Sequence, residues 1–450
     1  MVASRNRPPD WLREAVASCL AAHLPVEATL HLGLSGGRDS VVLLHLLKDL
    51  LPERLRAIHV QHGLSPHADA WADFCRQLCR EWQIPLEIAP VEVRRQGRGL
   101  EDAARTARYQ AFQASGATWL ALAHHRRDQA ETMLLNLCRG AGVAGAAAMQ
   151  GRRKISGMTV LRPLLEVGDE EIACYAEERG LAWVEDESNA LPHFRRNFLR
   201  LEVLPKLAQV FPAVEANLAR AARHFAEAES LLRDLASLDA AQIEADAAYF
   251  GKLALARQAN WLRGYLQAAR WRIPDTPRLL EALRQFNQAM KRGVPAEMVL
   301  PEGRLCLWRG RFYVVANVPV SKSPQSWDGR TPLFWAGSWL HLEARQGEGL
   351  RADCLFGNME NKLSVCSRKG GETLRLAQNR PRRPLKKILQ EAAIPPWQRE
   401  RLPLIYWGDE CIACPGIGIA ADWQCQKDET GWYPVLQTAI GGGGEGNVHP

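Results

Sequence analysis

Apolar and polar positions alternate with two different periods along the chain between residue 28 and about residue 165. Short apolar runs occupy residues 28–34, 56–61, 86–91, 118–123 and 158–161. Segments of helical period lie between them, at about residues 40–51, 66–83, 99–115 and 128–139. Strands that alternate with helices in this way predict a parallel sheet covered on both faces. The sequence therefore predicts a doubly wound α/β domain whose ligands bind at the carboxyl ends of the strands.

The pattern becomes mainly helical after residue 189. Helical spacing continues from residue 215 to about 238 and again over about 252–270, whereas short alternating runs at 299–316 and 331–343 predict strands. A polar region at 345–363 predicts a junction. We predict an α/β domain at 1–212, a mainly helical domain at 213–345, a small α+β domain at 364–436 and a flexible, glycine-rich tail at 437–450.

Composition fits a globular protein with more than one domain. The chain has 450 residues, and this length exceeds what one hydrophobic core usually supports. Its residues are 47% hydrophobic and 24% charged, as in a globular protein. No stretch approaches the roughly 20 apolar residues of a membrane span, and the polar, proline-containing start lacks the apolar core of an export signal. We expect a cytoplasmic protein that does not contact membranes. Its eleven cysteines, with one CxxC at Cys411 and Cys414, are expected to be reduced thiols.

The chain is basic, with a net charge of +7 and a pI near 8.9. This balance favours a polyanionic partner such as a nucleic acid. Solvated basic faces would account for the same total, and the charge by itself leaves both alternatives open.

A phosphate-binding loop is predicted directly after the first strand. The loop reads Ser35-Gly36-Gly37-Arg38-Asp39-Ser40 and leads into a strongly apolar helix. A glycine pair lets the backbone approach a ligand closely, and the helix start directs unpaired N–H groups at it. The loop lacks the lysine of a Walker A motif and the GxGxxG of a dinucleotide fold. The alternative is a glycine turn with an Asp or Ser helix cap.

A second polar cluster follows the predicted strand at 118–123. His124 and His125 end the strand, and Asp128 and Glu131 open the next helix on one face. The two acids are suited to binding magnesium or to proton transfer. A capping box, which satisfies the first N–H groups of a helix, explains the same spacing. Both roles can belong to the same acids.

These motifs resemble those of a known family. SGGxDS after the first strand resembles the PP-loop ATP pyrophosphatases, which cleave ATP between the α and β phosphates and transfer AMP to an oxygen. Residues 123–132 are similar to the AHHxDDQxET signature of the bacterial tRNA(Ile)-lysidine synthases. Those enzymes adenylate the C2 oxygen of the wobble cytidine in the CAU anticodon of isoleucine tRNA, and lysine then displaces AMP. Arg127 departs from this signature, because the commoner form has the first of two adjacent acids there.

Further motifs follow in the family's order. They are ARxxRY with Arg105 and Arg108, RPLL from Arg162, WxxDxSN with Asp186 and Asn189, RNxxR with Arg196 and Arg200, and the C-terminal GETLR, RPLKK and IPPW. Solvated helix faces, turns and caps could explain each motif separately, but they do not predict the order. The basic stretch at 380–387 is the densest positive patch of the chain, and the resemblance implies that it grips the tRNA acceptor stem.

The resemblance implies a role for each candidate residue. ATP is expected to bind at Ser35, Gly36, Gly37, Arg38, Asp39, Ser40 and His124. Catalysis is expected from Asp39, Asp128, Glu131 and Arg196, with Mg²⁺ held by Asp39 and Asp128. Contacts to the tRNA or lysine are expected from Arg105, Arg108, Asp186, Asn189, Arg200, Arg382, Arg383, Lys386 and Lys387. The oligomeric state stays open, a homodimer being one alternative. Two other functions also stay open, namely another PP-loop tRNA-modifying enzyme and a non-catalytic tRNA-binding homologue.

Overall fold

The computed structural model describes residues 10–63, 65–93, 100–185, 187, 195–321, 323–356 and 363–438. The chain divides into two compact units, residues 1–232 and 233–450. No helix among the described residues is long and apolar enough to cross a membrane.

The first unit contains a six-stranded sheet. Its strands are β1 Leu30–Gly33, β2 Leu55–Gln61, β3 Leu86–Pro90, β4 Trp119–Ala121, β5 Arg152–Ile155 and β6 Met158–Leu161. They lie in the order β3-β2-β1-β4-β6-β5, and all neighbours are parallel except β5 and β6. The predicted doubly wound parallel sheet is therefore confirmed. The direction in which the strands are added reverses between β1 and β4, which is where such sheets bind ligands.

Helices alternate with these strands and follow them along the chain. They are α1 Trp11–His23, α2 Arg38–Leu50, α3 Ala68–Glu81, α4 Leu100–Ala114, α5 Arg126–Cys138, α6 Val143–Ala146, α7 Asp169–Glu178, α8 Arg195–Phe198, a π-helical segment Leu199–Val203, α9 Leu204–Val210 and α10 Val214–Ala245, which extends past the division between the units. Helix α2 is buried on nearly all sides, including Leu43, Leu44 and Leu47. Each such leucine contributes roughly 1.5–3 kcal/mol of burial free energy, so α2 holds the preceding loop in a fixed place.

The second unit begins with helices and continues with small antiparallel sheets. Its elements are α11 Tyr249–Lys252, α12 Leu255–Ala268, α13 Thr276–Arg292, β7 Ala296–Leu300, β8 Gly303–Trp308, β9 Arg311–Ala316, β10 Gln325–Ser326, β11 Leu333–Trp335, β12 Ser338–Gln346, α14 Ala352–Phe356, β13 Leu363–Cys366, β14 Thr373–Leu374, β15 Arg383–Pro384, α15 Leu385–Glu391, α16 Pro396–Arg401, β16 Leu404–Trp407, β17 Glu410–Cys414, β18 Gly418–Ile419 and β19 Thr430–Thr438. The helical middle and the C-terminal sheets agree with the predicted architecture.

Strand pairing in the second unit joins distant parts of the sequence. Strand β12 pairs antiparallel with β19 from Ser338–Thr438 to Gln346–Thr430. The hairpin of β11 and β12, assigned above to the helical domain, thus shares a sheet with the last strand. The domain boundaries given above stay predictions, and the tail from residue 439 lies outside the described residues.

Candidate active site

The phosphate-binding loop leaves β1 at the point where the strand order reverses. Ser40 Oγ donates to the Gly37 carbonyl at 2.8 Å and lies 3.0 Å from Ser35 Oγ, while the Gly37 N–H donates to Ser35 Oγ at 3.3 Å. The buried His59 ring lies behind the loop, with Nδ1 2.9 Å from the Leu34 carbonyl. The two hydroxyls and this imidazole fix the loop in a conformation that opens onto the N-terminus of α2, as an anion site requires.

Gly36 adopts a backbone conformation that favours glycine, with φ +87°. A Cβ there would lie 2.9 Å from Val184 Cγ2 and 3.3 Å from Cys75 Sγ. We expect Gly36→Ala to weaken ATP binding by about tenfold or more, because backbone strain of about 1–3 kcal/mol adds to this crowding. Calorimetric titration with ATP measures the effect. Gly116→Ala is the matched control, since Gly116 has φ +73° and nothing within 4 Å of an added Cβ. Equal ATP affinities in the two variants would contradict the prediction.

Two acids of α5 meet two arginines that follow them by more than sixty residues. Arg196 donates to Asp128 Oδ1 and to Glu131 Oε2, both at 2.6 Å. Arg200 donates to Glu131 Oε1 at 2.6 Å and lies 3.4 Å from Asp128 Oδ1. Glu131 is fully buried, and these two guanidinium groups pair with both of its carboxylate oxygens. The structure thus brings together four of the sequence-predicted residues.

The capping box predicted from the spacing of Asp128 and Glu131 is wrong in its pairing, because α5 begins at Arg126 and Asp128 is its third residue, paired with His125. Asp128 Oδ2 accepts the backbone N–H of His125 at 3.0 Å, as in a capping box. Burial alone would raise the pKa of Asp128, but His125, Arg196 and His124 outweigh it and lower the pKa to about 2. Asp128 is therefore ionised at neutral pH, and it both caps α5 and binds Arg196.

His125 joins the two motifs, a role that sequence analysis missed. Its Nε2 lies 3.4 Å from Asp39, 3.6 Å from Asp128 and 3.9 Å from Asp169, and the ring is buried. Burial alone would lower the pKa of His125, but the hydrogen bond to Asp39 and the three carboxylates raise it. The second histidine of the signature was the available signal for this residue. Asp169 gave only the pattern of an acidic helix start.

The ionisation of Asp39 is also governed by its neighbours. Burial would raise the pKa of Asp39, but the hydrogen bond and charge of His125, together with Arg38, lower it. Arg38 Nε donates to Asp39 Oδ1 at 3.0 Å, and its Nη2 donates to Asp169. Asp39 is thus an ionised carboxylate, about one-third exposed, beside the phosphate loop.

A group of arginines without acidic partners lies near this site. No described carboxylate forms an ion pair with Arg105, Arg108 or Arg162, although Arg162 is buried. Arg108 Nε lies 3.4 Å from His62 Nε2, and Arg105 lies over the Tyr109 ring. Burial lowers the pKa of His62 to about 4, and the charges of Arg108 and His59 act in the same direction. Guanidinium groups without an acidic partner favour a phosphate-bearing ligand.

His124 lies close to the same arginines. Burial lowers the pKa of His124 to about 3, and the charges of Arg162, Arg196 and Arg105 act in the same direction. The ring is therefore neutral and can take part in hydrogen bonding without adding charge.

Asp39, His125 and Asp169 bring one ligand atom each to within 4.8 Å of one another, which is a distance suited to a metal ion. Both oxygens of Asp169 already bind arginines, and Mg²⁺ prefers oxygen over imidazole nitrogen. Asp39 fits a magnesium ion better, because it is partly exposed and its oxygens retain free acceptor directions. The oxygens of Asp128 are engaged by Arg196 and the His125 N–H.

The other candidate residues lie elsewhere or are not described. Asp186 and Asn189 lie outside the described residues. In the second unit Arg382 pairs with Glu410 at 2.6 Å and Arg383 pairs with Glu391. Lys386 and Lys387 are exposed on the first turn of α15. The basic patch therefore keeps two lysines available for a polyanion.

The fold and the loop at its switch point define a PP-loop nucleotide-binding protein, and the sequence pattern of the PP-loop domain family matches residues 13–207. The pattern of the TilS substrate C-terminal domain matches residues 363–437. A tRNA(Ile)-lysidine synthase of Azoarcus sp. is 41% identical over 430 residues, covering 92% of this chain and 93% of the relative. The tRNA(Ile)-lysidine synthase of Chromobacterium violaceum is 38% identical, and the match covers 94% of this chain and 100% of the relative. The chain belongs to the tRNA(Ile)-lysidine synthase family.

Proposed function

We propose that this protein ligates lysine to C2 of the wobble cytidine in the CAU anticodon of isoleucine tRNA. The cytidine O2 attacks the α-phosphorus of ATP and pyrophosphate leaves; an amine of lysine then attacks C2 and AMP leaves with the oxygen. One observation carries the proposal beyond family membership. His125 Nε2 lies within 3.6 Å of both Asp39 of the phosphate loop and Asp128 of the second motif, which supports one shared site for the two motifs.

The phosphate loop supports the ATP half of this reaction. Backbone N–H groups and the hydroxyls of Ser35 and Ser40 suit the phosphates, and Asp39 would hold Mg²⁺. The ion would neutralise the phosphates and the departing pyrophosphate. The expectation that Asp128 also binds magnesium stays a prediction, and the engagement of its oxygens by Arg196 and the His125 N–H favours a role in holding that arginine.

The arginines support the tRNA half. Arg196 and Arg200 would stabilise negative charge that develops between the α-phosphate and the cytidine oxygen. Arg105 and Arg108 suit phosphates of ATP or of the anticodon loop, because no described acid pairs with them. Contacts of Asp186 and Asn189 to lysine stay a prediction from the resemblance.

Purified protein with ATP, Mg²⁺, lysine and isoleucine tRNA bearing a CAU anticodon tests the proposal. We expect pyrophosphate release and a wobble cytidine whose mass increases by one lysine less one water. Release of pyrophosphate with a different mass change would favour another PP-loop tRNA-modifying enzyme. Binding of tRNA without pyrophosphate release would favour the non-catalytic homologue, and either result would refute the proposal.

The C-terminal lysines are expected to act on tRNA affinity alone. The double change Lys386→Ala/Lys387→Ala should raise KM for tRNA by about tenfold and reduce the slope of log affinity against log salt by about two, because two phosphate contacts are lost. KM for ATP should stay unchanged. Lys427→Ala is the control, since Lys427 is an exposed lysine of the same unit. An unchanged salt slope would contradict the assignment of these lysines to the tRNA.

A further inference from the structure

Arg127, which departs from the family signature, makes two ion pairs. Its Nη1 donates to Asp169 Oδ2 at 2.9 Å, and its Nε donates to Glu215 Oε1 at 2.8 Å. The next residue, Asp128, contacts Arg196 instead. The guanidinium group of Arg127 is thus engaged with the first residue of α7 and the first turn of α10.

These contacts continue to the phosphate loop. The other oxygen of Asp169 accepts from Arg38, and Arg38 donates through Nε to Asp39 Oδ1 at 3.0 Å. Five side chains of alternating charge therefore connect α10 with the loop; we call them the ion-pair chain. Its members are Glu215, Arg127, Asp169, Arg38 and Asp39.

The two arginines of the ion-pair chain stand at helix N-termini, and the neighbouring acids offset their unfavourable position. Arg38 is the first residue of α2 and Arg127 is the second of α5. Cations at helix N-termini are unfavourable, whereas the acids Asp169 and Glu215 stand where acids are favourable. An acid at position 127 would place a third carboxylate beside Asp169 and Glu215 and would remove the guanidinium group that pairs with both. Arg127 in this chain is therefore matched to Asp169 and Glu215.

We propose that Arg127 is a positioning residue that, through Asp169 and Arg38, holds Asp39 in the orientation needed at the phosphate loop. In this role Arg127 acts through Asp169 and Arg38 and not by contact with ATP. The proposal rests on the proposed function, of which it explains one residue. It also gives a role to the arginine that departs from the signature. Asp169 and Glu215 neutralise the charge of Arg127, so the arginine adds no net charge that would repel magnesium.

Kinetics of Arg127→Gln, Asp169→Asn and the double variant test the proposal. We expect Arg127→Gln to lower kcat/KM for ATP by about tenfold, because small displacements of a positioning group cost rate. The double variant should be no more than about twofold worse than the poorer single variant, since both changes break the same ion-pair chain. Arg127→Lys should recover part of the loss, because lysine keeps the charge but cannot bind both acids in the same way.

Arg126→Gln separates positioning from simple structural support. Arg126 precedes Arg127 on α5, pairs with Glu171 at 3.6 Å and donates to the Glu166 carbonyl, but none of these contacts leads to Asp39. We expect Arg126→Gln to lower the thermal unfolding midpoint about as much as Arg127→Gln does, and to leave kcat/KM for ATP unchanged. Equal kcat/KM for Arg127→Gln and wild type, or independent losses in the double variant, would overturn the proposal. If the wild type releases no pyrophosphate, the proposed function fails instead, and the same variants are compared by their affinity for ATP.

Discussion

Asp39→Asn is expected to lower the rate of pyrophosphate release by about 10³-fold, an effect comparable to losing a preorganised charge at the reacting centre. Asp39 accepts from Arg38 at 3.0 Å and lies 3.4 Å from His125 Nε2, and these partners hold its pKa below the usual value. Asparagine keeps the shape but removes the charge. The variant therefore loses the proposed magnesium ligand and the carboxylate that faces His125.

Single-turnover release of pyrophosphate, at saturating ATP and tRNA, measures this effect. A titration with Mg²⁺ should show a higher half-saturating concentration than in wild type. Asp49→Asn is the matched control, because Asp49 lies on the same helix, is half-exposed and pairs only with Lys48 among the described residues. A rate for Asp39→Asn within about threefold of wild type would remove Asp39 from the catalytic residues.

Hydrophobic periodicity predicted the sheet well. Each of the five predicted strands is present, with ends shifted by at most two residues. Strand β5 was not predicted, because its sequence, Arg152 to Ile155, is charged and mostly exposed. It forms only as the outer partner of β6, through a tight turn in which Ser156 and Gly157 both have positive φ. Edge strands of this kind depend on pairing, which periodicity does not record.

The site was predictable only as far as local patterns reach. Asp39, Asp128 and Glu131 were predicted as site residues because they stand at strand ends and helix starts. Their partners were harder to find, since Arg196 and Glu131 are 65 residues apart. Asp169 binds Arg38 and Arg127, which lie 131 and 42 residues away along the chain. Sequence spacing predicts which face a residue occupies, but ion pairs across a fold are set by packing.

Arg196→Gln is expected to lower kcat by about 10²-fold, because it removes a cation that binds Asp128 and Glu131 and would stabilise the adenylating transition state. Both hydrogen bonds are 2.6 Å long. Burial would lower the pKa of Arg196, but Asp128 and Glu131 outweigh it and raise the pKa, so the charge is permanent. Breaking a buried pair costs about 3–5 kcal/mol when one charge is left alone. Because Arg200 still binds Glu131, we expect the free energy of unfolding to fall by about 2 kcal/mol, which lowers the unfolding midpoint by about 4–8 °C.

Two comparisons distinguish lost chemistry from lost stability in this variant. Arg195→Gln changes the neighbouring exposed arginine, which makes no ion pair with a described acid, and it should keep both the midpoint and kcat. Arg196→Lys keeps a positive charge near Glu131, but an ammonium group cannot offer two separate guanidinium donors to two carboxylates. It should therefore recover most of the stability and little of the rate. If Arg196→Lys recovered both equally, Arg196 would act only by neutralising Glu131, and its proposed contact with the reacting phosphate would be wrong.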